Sequence, residues 1–167
     1  MEPAATLPDD VAAFIQGGVS ITIASRDERL VPSIAKAVGC RVGTDGRELT
    51  VLMFADAAES VARDIARCGL AAVVFTQPST NRTLQLKGRD ARAVPVQPAD
   101  VALVRRWLAL FGDVLQPLGW SQTFVDAVFW HDPAQLVAVR FTPDSAFQQT
   151  PGPGAGAAMA LPCAGPR

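Results

Sequence analysis

The chain has 167 residues, of which 49% are hydrophobic and 19% charged, and its formal net charge is -1. That length allows one domain with a full core, and the absence of a basic excess excludes a general nucleic-acid binder. Cys40, Cys68 and Cys163 are far apart and show no Cys-x-x-Cys spacing, which signals neither a zinc cluster nor a disulfide framework and fits a reducing, cytoplasmic setting.

The opening "MEPAATLPDDVAAFIQGG" is acidic, lacks the apolar run of a signal peptide, and predicts a short helix started by Pro8 and two aspartates. No later stretch approaches the roughly 20 apolar residues of a membrane span. "VSITIAS" (19–25) alternates apolar and polar residues and predicts a strand, and "LVPSIAKAVGCRV" (30–42) predicts a longer one. A third, "ELTVLMF" (48–54), follows the favoured hairpin pair Asp45-Gly46. "DAAESVARDIARCG" predicts a helix capped by Asp56 and Glu59 and closed by Gly69, with Ala58, Val61, Ala62, Ile65 and Cys68 on its packed face.

"LAAVVFTQ" (70–77) predicts a buried strand, and residues 83–96 a long one in which Gly88 marks a bulge or bend. "PADVALVRRWLALFGDVLQ" (98–116) carries the clearest helical stripe: Val104, Trp107, Leu108, Phe111 and Leu115. Residues 121–130 fit either a helix or irregular packing, and "QLVAVRF" (135–141) predicts a last strand. A Gly/Pro/Ala-rich tail (150–167) follows a single domain (1–149) and cannot build a core of its own. Six antiparallel strands with helices in the connections predict a mainly β architecture, a small closed or split barrel that hides its edges.

Few residues suggest chemistry. The single histidine, His131, has no Gly-x-Ser-x-Gly partner motif and cannot build a multi-histidine metal site; it reads as a structural or surface residue, with an axial haem ligand as its functional alternative. "PGPGAG" misses the dinucleotide fingerprint, because Gly156 comes one residue early and prolines interrupt the turn. Cys40 and Cys68 read as inert buried thiols, and Asp9-Asp10 and Asp27-Glu28 as helix-start and turn residues. "TQPSTNRT" and the strand after it stand apart, with hydroxyls, amides and a guanidinium suited to a phosphate or the polar edge of a ring. The bland alternative is a polar hairpin loop.

From residue 8 to 142 the chain resembles the FMN-binding split-barrel superfamily, the group around pyridoxamine 5'-phosphate oxidase. The resemblance rests on strand order and on "VPSIAKAV", "MFADAAES" and "RTLQLKGRDARAV". Several family cations are replaced: Ala35 stands at a phosphate-binding arginine, Cys40 at a lysine, and Val61 and Ala62 at a basic pair, while Lys87 stands at a glutamate. The resemblance implies a six-stranded antiparallel split barrel, a homodimer, and FMN in a groove between subunits, with deazaflavin or haem as alternative cofactors. It implies flavin redox chemistry on a substrate other than pyridoxine phosphate, or cofactor binding without turnover. It places Ser33, Lys36, Phe54 and Ser60 at the phosphate, ribityl chain and neighbouring junction. Gln77, Ser79, Arg82, Thr83, Gln85 and Lys87 would meet the ring or phosphate from the opposite side.

Overall fold

In a computed structural model, which describes residues 6–162, the chain forms ten strands and four α-helices. Helix α1 (Asp9–Ile15) leads into β1 (Ser20–Arg26), β2 (Pro32–Ala37), β3 (Gly39–Val42) and β4 (Leu49–Phe54). Helix α2 (Ala55–Cys68) follows, then β5 (Ala71–Thr76), β6 (Thr83–Gly88) and β7 (Arg92–Val94). Helices α3 (Asp100–Leu115) and α4 (Gln122–Phe129) precede β8 (Leu136–Phe141), β9 (Ser145–Gln148) and β10 (Ala158–Met159).

The strands make two antiparallel sheets, one ordered β10-β9-β6-β5-β1-β2 and one ordered β3-β4-β8-β7. All six expected strand runs form, and two of them cross between sheets, which makes this a split barrel. The 30–42 run breaks at Val38, so that β2 ends in one sheet and β3 begins in the other. Gly39 makes the crossing with a φ of +150°, and a Cβ there would stand 2.7 Å from Leu103 Cδ2. The 83–96 run breaks at Gly88, where a Cβ would lie 2.6 Å from the Thr142 carbonyl oxygen.

Between the sheets lie the inward residues of the period-2 pattern: Ile21 and Ile23, Val73 and Phe75, Leu84 and Leu86, facing Val51, Met53 and Phe141. Helix α3 buries Val104, Trp107, Leu108 and Phe111 as its stripe predicts, and Trp107 Nε1 donates to the Val19 carbonyl at 2.9 Å. The ambiguous 121–130 segment is helical because Ser121 accepts from the Phe124 N–H, and Phe129 packs edge-on against Trp107 and Phe111.

Two local expectations differ. Helix α2 starts one residue before Asp56, so Phe54 is its N-cap and Asp56 accepts from the Ala57 N–H instead of capping; Gly69 closes the helix in the left-handed conformation as expected. The described part of the tail is also not wholly irregular. Its β10 pairs with β9, Met159 and Leu161 pack on the core, and Thr6 N–H donates to the Pro162 carbonyl.

Candidate functional site

The outer face of the six-stranded sheet can be read from its register. One row runs Lys36–Thr22–Val74–Gln85–Phe147 across β2, β1, β5, β6 and β9, and the next runs Ile34–Ala24–Ala72–Lys87–Ser145. Ser20, Thr76 and Thr83 form a third. The outward side chains at the centre are small or polar and stay half-exposed, while Ile34 is 67% exposed.

Lys36 organises one side. Its Nζ donates to Ser20 Oγ at 3.0 Å and Thr22 Oγ1 at 3.1 Å, and partial burial holds the amine below its ordinary pKa. On the other side, Gln85 Oε1 accepts from Gln149 Nε2 at 3.4 Å, Thr83 donates to Thr76, and Lys87 lies 4.7 Å from the Phe147 ring centroid. Strands about 4.8 Å apart put Lys36 and Gln85 roughly 14 Å from each other, with Thr22 and Val74 as the floor between them.

The ten expected residues do not share one surface. Lys36, Thr83, Gln85 and Lys87 face outward together. Ser33 is three residues from Lys36 on the same strand and therefore points inward, under α2. Its hydroxyl approaches the buried Asp64 without reaching full hydrogen-bond geometry. That hydroxyl still holds the Asp64 carboxyl below the ordinary range, against the effect of burial, and Arg63 and Arg67 add their charges.

Gln77, Ser79 and Arg82 belong to the β5–β6 turn, and most of its donors are spent within it. Gln77 N–H donates to the Arg82 carbonyl, Thr80 Oγ1 to Gln77 Oε1, and Arg82 N–H to Thr80 Oγ1. The Arg82 guanidinium stacks 4.2 Å from the Phe14 ring centroid on α1, and Ser79 is exposed. Phe54 and Ser60 lie elsewhere again, at the start and in the middle of α2. Phe54 is buried, with the His131 ring 4.9 Å away and the Trp130 ring edge-on, and His131 Nδ1 stands 3.7 Å from Asp56 Oδ2.

Sequence reasoning missed Ser20, Thr22 and Gln149. The alternation of "SITIASR" had placed the first two on the polar side of β1, but Gln149 follows a strand, β9, that carried no periodic signal. The expectation of inert thiols holds for Cys40, whose Sγ donates to the Ile15 carbonyl and whose thiol burial pushes far up. Cys68 departs from it. Burial raises its pKa, but Ser25, the Leu70 N–H and the Arg26 charge together bring the thiol below its ordinary value. Cys163 lies outside the described residues.

A cavity of about 290 Å³ opens where β1 and β6 end and β5 and β9 begin, near Arg26 and Gly88. A second, of about 480 Å³, lies between α3 and α4 beside Arg105 and Trp130. Among the described residues no group of three or more His, Cys, Asp and Glu is placed to hold a metal ion, and no helix is long and apolar enough to cross a membrane.

No family model and no curated protein matches the chain by sequence. Solved structures match its shape. HupZ of Group A Streptococcus superposes with a TM-score of 0.54 at 12% identity, covering 90% of this chain and 99% of that one. A candidate pyridoxamine 5'-phosphate oxidase from Lactobacillus delbrueckii gives 0.53 at 13% identity, covering 88% and 99%. An F420 reductase gives 0.51 at 14% identity, covering 84% and 98%. The crossing strands at Gly39 and Gly88 and these superpositions agree: the chain has the split-barrel fold of the pyridoxamine 5'-phosphate oxidase-like proteins.

Proposed function

We propose that the outer face of the six-stranded sheet binds a flavin-type cofactor, FMN or a deazaflavin, at the border between two copies of the chain, and that the protein is an oxidoreductase. The observation that carries this reading is the middle row of the sheet. Lys36 and the Gln85–Gln149 pair stand at opposite ends of a floor made by Thr22 and Val74. A three-ring system laid across the strands fits that span, with amide and amine groups available to its polar edge. The exposed Leu30, Val31 and Ile34 on the β1–β2 turn and strand β2 supply apolar surface for a second copy.

The phosphate end is a poorer match within one chain. Arg63 is drawn to Asp64, Arg82 to Phe14 and Lys87 to Phe147, while the exposed Asp56 and Glu59 at the start of α2 disfavour an anion there. A bound flavin would supply the electron transfer; this chain's residues would bind and orient it. Pyridoxine phosphate is not the substrate in this reading, because these cations are engaged and Ala35 and Cys40 stand where the resemblance expects an arginine and a lysine.

The test is a spectrum and a mass. Freshly purified protein, loaded with FMN and passed through a column, is expected to keep about one flavin per subunit and to run as a dimer by light scattering. Lys36→Met and Gln85→Leu should each release the cofactor. A protein that retains neither FMN nor deazaflavin overturns the reading.

A second reading rests on His131. Its ring lies against Phe54, Asp56 stands beside Nδ1, and the side chain is 44% exposed, an arrangement suited to an axial haem ligand. A Soret band that disappears in His131→Ala would favour it over the flavin.

A further inference from the structure

We propose that the cavity at the lower end of the outer sheet face is a separate binding site for a small organic anion, one with an apolar body and a carboxylate or phosphate head. The site does not rest on the cofactor reading. It borders Leu70, just past the C-terminal end of α2, whereas the expected phosphate-side residue Phe54 is at the other end. A 14-residue helix separates those ends by roughly 20 Å.

The hollow exists because the register sets two alanines side by side. Ala24 pairs with Ala72, which pairs with Lys87, so the floor lacks the bulk that Val74 and Thr22 provide one row above. Around that floor Arg26, Lys87 and Arg89 bring three cations, and Asp144 is the one carboxylate in the wall. Asp144 lies 3.3 Å from Arg89, which leaves the charge of Arg26 and that of Lys87, whose amine stands over the Phe147 ring.

Arg26 is held for the task. It ends β1 on the outward side, and its Nη1 donates to the Asp27 carbonyl at 3.0 Å, so the guanidinium is oriented while its other N–H groups stay available. Ser25 does not compete for the ligand, since its hydroxyl donates to the Leu70 carbonyl at 2.8 Å. The partial negative charge at the end of α2 is also muted, because Gly69 caps the helix and its carbonyl accepts from the Ala91 N–H. A volume of about 290 Å³ suits a molecule of small-metabolite size, larger than a bare ion.

Calorimetric titration of the full chain with benzoate, phenyl phosphate and inorganic phosphate tests the site. Saturable binding of phenyl phosphate or benzoate, with inorganic phosphate at least about tenfold weaker, is the expected result, and the better binder of the two identifies the head group. Arg26→Gln should weaken that binding by about tenfold or more through the lost charge. Ala72→Leu should abolish it by filling the hollow with every cation in place. If neither organic anion binds saturably, or if both variants bind as the parent does, the proposal is overturned. Retention of FMN, measured on the same variants by absorbance, reports separately on the cofactor reading.

Discussion

The two faces of the six-stranded sheet are built from the same strands under different rules. The inner face fills its volume with Ile21, Ile23, Val73, Phe75, Leu84 and Leu86, each almost wholly buried. The outer face answers with Thr22, Ala24, Ala72, Val74 and Gln85, which are smaller or polar and half-exposed. A face meant only for water needs neither the two adjacent alanines nor a lysine bonded to two hydroxyls. The contrast therefore separates residues that hold the barrel together from residues free to meet another molecule.

Substitutions can break that contrast. The largest effect is expected on the inner face: Phe75→Ala should cost about 3–5 kcal/mol in urea unfolding, because the cavity it leaves has rigid walls. At the crossing between sheets, Gly39→Ala should cost roughly 1–3 kcal/mol, since a methyl group there meets Leu103 in a backbone conformation that side chains resist. An undisturbed denaturation midpoint would mean that the strand crossing tolerates a side chain.

Asp64 sharpens the comparison through pH. Its folded-state pKa lies below the ordinary carboxylate value of 3.8, so its contribution to stability is complete above that value and is lost as the pH falls through the folded one. Asp64→Asn should flatten the acid limb of a stability-against-pH curve, and a variant with the parent's acid limb would exclude Asp64 as its source. The smallest effect belongs to the polar turn. Arg82→Ala should cost only about 0.5–1 kcal/mol, the value of an exposed cation stacked on Phe14, and a cofactor lost with it would return Arg82 to the site.

The sequence made the barrel legible through particular residues. Strict alternation in "SITIASR" and in the Leu84–Leu86 pair set which side chains face inward, and the stripe of α3 is buried from Val104 to Phe111. Periodicity carries no information about which sheet a strand joins, so the crossing at Val38–Gly39 was visible only as a glycine in a long run. Strand β9 escaped because four residues flanked by Pro143-Asp144 and a Gly/Pro segment are too short to show a period.

The candidate site was half legible. Polar positions can be read from alternation, but whether a hydroxyl is free or already bonded depends on the turn that holds it, as Thr80 and Gln77 illustrate. Opposite faces follow from spacing, and Ser33 and Lys36 are an odd number of residues apart on one strand. A role shared by the two on one surface is therefore at odds with the two-residue period of a strand.

The pairing of β4 with β8 joins Leu49 to Phe141 across most of the chain, whereas β1, β2, β5 and β6 have all been made by residue 88. A ribosome adding about 5–20 residues per second leaves several seconds between those two points. During that interval the central strands of one half of the barrel can pair while β4, rich in leucine, valine and methionine, still lacks its partner β8. For a cell making this protein, the interval in which β4 is open is the interval in which a chaperone has something to hold.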